Sequence, residues 1–118
     1  MKLVMNMDKK QDLINSFLVE LKRGTITLAV LSQLKTPQYG YSLLEKLVSR
    51  EVPIESNTLY PLLRRLEKQG ILLSEWSTQE ARPRKYYKLS PFGEDVYDLL
   101  VKEWENSVDV MQKILRED

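Results

Sequence analysis

Apolar residues recur at helical spacing over most of this chain. Between Asp8 and Arg23, the residues Leu13, Ile14, Phe17, Leu18 and Leu21 fall on one stripe, which closes on Lys22-Arg23-Gly24. Thr25–Leu34 follows directly with Ile26, Leu28, Ala29, Val30, Leu31 and Leu34; it is apolar on most sides, the mark of a core helix. Gly24 either kinks one long helix or separates two, and the pattern is compatible with both. Met1–Asn6 is expected to be a ragged start. Thr36-Pro37-Gln38 reads as a turn, because proline has no N–H to continue a helix and restricts the residue before it. A second helix opens at Tyr39-Gly40-Tyr41, turns Leu43, Leu44, Leu47 and Val48 inward and ends near Arg50.

A third helix is predicted to follow the connector 51–55, with Ser56 as its N-cap. At roughly 100° per residue, Leu59, Leu62, Leu63 and Leu66 share one sector, while Asn57, Pro61, Arg64 and Lys68 lie almost opposite. Tyr60 and Arg65 fall on the flanks, and Gly70 ends the helix. Two β-prone runs, Ile71–Trp76 and Lys85–Leu89, flank the polar turn STQEARPR and predict a hairpin. Ser90-Pro91 then starts another helix with proline in its first turn. Its stripe runs through Phe92, Val96, Leu100, Trp104, Val108, Met111 and Leu115. Such a helix of ~25 residues is nearly 40 Å long, more than a small domain covers alone, so the stripe calls for a second chain.

The resulting order is mainly α with a minor β part: helices, a two-stranded wing and a long final helix. That is the winged helix-turn-helix arrangement. It divides the chain into a winged-helix domain with its N-terminal helix, residues 1–90, and a C-terminal dimerisation helix, residues 91–118.

Composition removes other classes of function. The 118 residues include no cysteine and no histidine, which excludes disulfides, thiolate metal sites, cysteine nucleophiles and every triad with a histidine base. The four glycines are isolated, so no loop cradles phosphates as a P-loop does. No catalytic residue, metal or cofactor is therefore expected. No apolar run approaches the ~18 residues that span a bilayer. The segment MKLVMNMDKKQD lacks the apolar core of a secretion signal, so neither membrane contact nor export is expected, and the location implied is the cytoplasm.

Net charge is only +1, but its distribution is uneven. Residues 58–90 carry seven basic and three acidic side chains, whereas residues 91–118 carry three and eight. A basic middle beside an acidic tail fits one face for a polyanion and another for a different partner. Double-stranded DNA suits the middle. Ser56, Asn57, Thr58 and Tyr60 lie at the start of the third helix, the part that reaches base edges in helix-turn-helix proteins. Arg64 and Lys68 form its basic front, and Arg82, Arg84 and Lys85 sit at a wing tip suited to phosphates or the minor groove. Tyr41, at a helix start, is placed to donate to a phosphate. Plainer readings stand beside these: a solvated face for Arg64 and Lys68, and packing for Tyr60 and Tyr41. Tyr86 and Tyr87 point to opposite faces of their strand, so one belongs to the core.

These residues resemble the PadR-type family of bacterial transcriptional regulators. The likeness is carried by Arg23-Gly24-Thr25, Tyr39-Gly40-Tyr41, the run Thr58–Glu67 (TLYPLLRRLE) with Gly70, the wing segment Arg82–Tyr87 (RPRKYY), Leu89 and Gly93. Together they span about Lys22 to Gly93. The resemblance implies a homodimeric repressor that reads a palindromic operator with its third helix and wing. It also implies dimerisation through the C-terminal helix, helped by the N-terminal one, which assigns Phe17, Leu21, Val96, Leu100, Trp104, Val108, Met111 and Leu115 to the dimer interface. A single C-terminal helix is similar to the small multidrug-responsive subfamily. There a tryptophan eleven residues past the glycine that Gly93 matches stacks flat drugs at the dimer centre. Trp104 holds that position with Val108 one turn on, so a ligand-responsive sensor of multidrug or phenolic-type molecules is the alternative function. Ala81 stands where the wing tip commonly has glycine, and Ser90 replaces a usual threonine.

Overall fold

One uninterrupted helix, α1 (Lys2–Ser32), takes the place of both the ragged start and the two-helix alternative. The computed structural model describes the backbone of residues 2–79 and 81–117 and side chains from Asn6 onward; Met1, Glu80 in the wing turn and Asp118 lie outside the described residues. Nothing between Lys2 and Arg23 is glycine or proline, so a helix once nucleated has no reason to stop there. At Gly24 it continues because the residue costs only about 1 kcal/mol relative to alanine, and Val30, Leu31 and Leu34 just beyond are fully buried.

The chain then forms β1 (Gln38–Tyr39), α2 (Gly40–Ser49), α3 (Ser56–Lys68), β2 (Leu72–Ser77), β3 (Arg84–Leu89) and α4 (Pro91–Leu115). The expected hairpin is present, paired antiparallel from Leu72↔Leu89 to Ser77↔Arg84. A third strand was not expected. Gln38 and Tyr39, read as turn and helix start, pair with Tyr87 and Tyr86, giving the order β1-β3-β2. Pro37 disfavours helix for the residue before it, and the extended backbone at Tyr39 meets the open edge of β3.

Helix ends follow local chemistry with one correction. The N-cap of α3 is Glu55, not Ser56. Extended backbone at Glu55 brings its carbonyl over the first turn, where it accepts from the N–H groups of Thr58 (3.0 Å) and Leu59 (2.9 Å). Ser56 is thus already helical, and no side chain caps this end. At the other end Gly70 adopts φ 78°. Its N–H reaches the Glu67 carbonyl, and that of Ile71 reaches Leu66, a Schellman closure. The predicted helix start at Ser90-Pro91 is present, and Ser90 proves to be its cap: its buried hydroxyl accepts from the Gly93 N–H (2.9 Å) and donates to the Gly70 carbonyl (2.6 Å). Gly93 lies so close to the Ile71 carbonyl that a Cβ there overlaps it. This locks the root of α4 onto the α3–β2 turn.

Among the described residues, every buried apolar side chain lies between Val30 and Leu89. The four leucines of α3 meet Leu43 and Leu47 of α2, Val30 and Leu31 of α1, and Leu72, Tyr87 and Leu89 of the sheet. Most of α1 and nearly all of α4 extend beyond this core. The molecule measures 60 × 36 × 24 Å with a radius of gyration of 18.2 Å. A compact domain of this length has about 13–14 Å. Phe17 (66% exposed), Leu21 (73%) and Leu115 (74%) mark two arms whose apolar faces are left exposed by the described residues. Among the described residues, no helix is long and apolar enough to cross a membrane.

Candidate nucleic-acid interface

Helix α3 has the sidedness its sequence predicts. Leu59, Leu62, Leu63 and Leu66 are buried, whereas Ser56, Asn57, Thr58, Pro61, Arg64, Arg65 and Lys68 are exposed. The leucines fix the helix on the core and thereby aim Asn57, Arg64 and Lys68 outward. Pro61 lacks the N–H that would reach the Asn57 carbonyl, which is left open near the solvent face.

Beside α3, the wing and the start of α2 enclose an open cleft of about 530 Å³ lined by Tyr39, Tyr41, Tyr60, Tyr87 and the cations Arg82, Arg84 and Lys85. Tyr60 is half-buried, packs against the core and lays its ring on Gly40, where a Cβ would overlap it. It is thus a wall of the cleft as well as a packing residue. Tyr41 is exposed, and the neighbouring Glu45 carboxylate, through hydrogen bonding and then its charge, raises its pKa. Of the two adjacent wing tyrosines, Tyr87 is the core member. Tyr86 meets Tyr39 edge-on, with centroids 5.7 Å apart and planes at 73°.

The three wing cations have different settings. Arg82 is exposed in the turn. Arg84 opens β3, and its guanidinium lies 4.4 Å over the Tyr39 ring. Lys85 is partly buried, 5.2 Å from the Tyr87 ring, and its ammonium donates to Glu67 Oε1 at 3.1 Å. The strand begins one residue before the predicted run Lys85–Leu89, so Arg84, read as the end of the turn, joins Lys85 on β3, and Arg82 alone of the three lies in the turn. Glu67 also accepts from the Ser74 hydroxyl of β2, so this carboxylate joins the end of α3 to both strands of the wing.

The hydrogen bond from Ser74 holds the Glu67 carboxyl below its ordinary pKa, with Lys85 contributing; the bond to Glu67 raises Lys85 in turn. A carboxyl depressed on folding adds stability above its unfolded value, near 4.5, and loses it as pH falls through the lower folded value. Glu67→Gln is therefore expected to lower the melting temperature at pH 7, with the deficit shrinking toward pH 3. Paired thermal melts at the two pH values check this, and a deficit independent of pH removes the carboxylate from the account.

The candidate effector residues lie elsewhere. Trp104 is 47% exposed on α4, with Val108 partly buried one turn on, and Leu100, Met111 and Leu115 continue the exposed face. Leu99, Val110 and Ile114 widen that face beyond the predicted stripe. Val96 is half-buried near the root of α4. Among the described residues no His, Cys, Asp or Glu cluster is arranged to hold a metal. The site residues not singled out from sequence are Tyr39, Tyr86, Glu67 and Ser74. Glu67 sits inside the TLYPLLRRLE run, but its partner lies 18 residues away and only the folded wing brings it near.

With this geometry in hand, comparison with known proteins is specific. Residues 27–99 match the Transcriptional regulator PadR-like family. A transcriptional regulator of Mycobacterium tuberculosis is 32% identical over 75 residues, covering 63% of this chain and 70% of that protein. The crystal structure of a PadR family transcriptional regulator from Eggerthella lenta superposes with a TM-score of 0.86 at 44% identity, covering 93% of this chain and 98% of that one. A PadR-like transcription factor from Bacteroides fragilis gives 0.70 at 32% identity, covering 84% and 98%. The fold is thus the winged helix expected from the element order, and the chain belongs to the PadR-like family of transcriptional regulators: it is a DNA-binding regulator, not an enzyme.

Proposed function

We propose that this regulator is a repressor that binds a palindromic operator as a homodimer, with α3 of each copy in a major groove. The observation that carries this reading is the division of α3 into a buried leucine face and an exposed face bearing Asn57, Thr58, Arg64 and Lys68. Ser56, Asn57 and Thr58 approach base edges at the helix N-terminus, with Tyr60 at the margin. Arg64 and Lys68 meet phosphates, and so do the wing cations Arg82 and Arg84, with Tyr41 at the start of α2. Lys85 adds positive charge to the same face while holding Glu67. Residues 1–90 act as the DNA-binding part and residues 91–118 as the clamp between copies. The exposed apolar arms support the second copy: Phe17 and Leu21 on α1, then Leu100, Trp104, Met111 and Leu115 on α4, with Val96 and Val108 between them. Such a dimer covers two half-sites and blocks a promoter by occupancy, in the cytoplasm where that DNA lies.

Selection of DNA from a random pool by the purified protein tests this reading directly. The expected product is a palindrome with half-sites about 10 base pairs apart. On that operator, Arg64→Ala combined with Lys68→Ala should weaken binding and lower the salt slope by about 2, because each lost phosphate contact removes close to one released counterion. An unchanged slope in a salt titration rejects the phosphate role.

A second reading adds an effector. Trp104, exposed between Leu100 and Val108 on an arm reaching away from the core, offers a flat apolar surface to a planar compound between two copies. Quenching of tryptophan emission by planar cationic dyes, absent in Trp104→Ala, distinguishes it from Trp76, which is also exposed.

A further inference from the structure

Between α1 and the start of α3 runs an open groove of about 790 Å³, separate from both the DNA-facing cleft and the α4 face. Its floor is aliphatic: Leu18, Val19 and Ile26 from α1 face Pro53, Pro61 and Leu62 across it. Among the described residues its lining has no aromatic ring and no carboxylate. Lys22, Arg23 and Arg65 stand around it, and no ion pair neutralises any of the three among the described residues. Asn57 and Thr58, in the first turn of α3, complete the wall.

We propose that this groove binds an aliphatic carboxylate, its chain laid along Leu18, Val19 and Ile26 and its head group met by Lys22, Arg23 and Arg65. The volume falls in the range of small-molecule sites, about 300–1,000 Å³. Chemistry selects the occupant. An aliphatic floor without rings has nothing to stack a planar compound, and three cations around it attract a single anionic head. A second copy of the chain is disfavoured as the occupant by helix geometry. At roughly 100° per residue, Val19, Lys22 and Ile26 lie nearly opposite Leu13, Phe17 and Leu21 on α1. Leu18 is common to the stripe and the groove floor, at the edge of each, while Leu13, Phe17 and Leu21, the rest of the stripe proposed to meet a partner, face away from the groove. Binding adds negative charge beside Asn57 and Thr58, which opposes DNA phosphates, so occupancy weakens operator binding.

The test begins without DNA, so its failure is distinguishable from failure of the operator reading. Decanoate, kept below its micelle concentration, is titrated calorimetrically into the full chain. Saturable binding at one site per chain is expected, weakened about tenfold or more by Val19→Glu and by Arg23→Glu, both on the exposed surface, and unchanged by Trp104→Ala. Decylamine, with the same chain and opposite charge, should not bind. Equal affinity in wild type and Val19→Glu overturns the site, as does loss in Trp104→Ala or equal binding of decylamine. With a selected operator, decanoate should lower DNA affinity in wild type but not in Val19→Glu; binding that leaves DNA affinity unchanged overturns the coupling.

Discussion

Leu100→Glu is expected to run as a monomer and to bind its operator at least on the order of a hundredfold more weakly than the parent chain. Leu100 is 40% exposed and belongs to no buried cluster, so a carboxylate there is fully solvated in the single chain and costs it little. Between two copies the same carboxylate must shed its water against Trp104 and Met111 side chains without a partner, at a cost of several kcal/mol. DNA binding falls with it, because two linked readers gain from each other's proximity and a single reader does not. Sedimentation and a titration on the operator measure the two effects, and unchanged circular dichroism shows that the fold survives. A variant that stays dimeric removes α4 from the interface.

Gly93→Ala is expected to destabilise the fold by about 3 kcal/mol, although it adds a single methyl group to a helix and alanine is the better helix former. The added carbon meets the Ile71 carbonyl, which is backbone and cannot rotate away. Nor can the start of α4 retreat. Ser90 is hydrogen-bonded through its own N–H to that same carbonyl at 3.0 Å, and Leu89 is tied to Leu34 at 2.8 Å. Gly24→Ala provides the matched control. No atom approaches within 4 Å of its added carbon, and the residue lies inside α1, so the same change should stabilise by up to about 1 kcal/mol. Urea unfolding at one fixed protein concentration compares the pair. Equal effects at the two glycines contradict the collision.

The elements that the sequence made legible are those written in consecutive residues. Leu59, Leu62, Leu63 and Leu66 declare the buried side of α3 through spacing alone, and Ser90-Pro91 fixes the start of α4 because cap and proline act within one turn. What escaped depends on contacts between distant segments. Two residues, Gln38 and Tyr39, are too few for strand alternation to show, and their pairing exists only once β3 is in place. Glu67 gave no sign of its role because Ser74 and Lys85 come from two different strands. The Ser56 cap failed for a local reason: any residue whose carbonyl is correctly turned closes the first turn, and Glu55 came first. Of the candidate interface, the sequence showed the basic character of the wing and the strand position of Lys85, but not the ring beneath Arg84 or the carboxylate beside Lys85. The apolar stripes of α1 and α4 were legible in the sequence, and their exposure follows from a core that, among the described residues, lies within 30–89.

The continuity of α1 carries a mechanical consequence. Its 31 residues form a rod of about 46 Å, with Phe17 and Leu21 partway along and the fully buried Val30 and Leu31 near its end. Just past that end the Leu34 carbonyl accepts the Leu89 N–H, the last residue of the wing. A rod tilted by a few degrees about its buried end swings its free end by several ångströms. In the proposed dimer, repacking of the α1 arm would be geared down along this stiff lever into a small rotation of each wing. On that reading, the spacing of the two α3 helices would follow the packing of the arms.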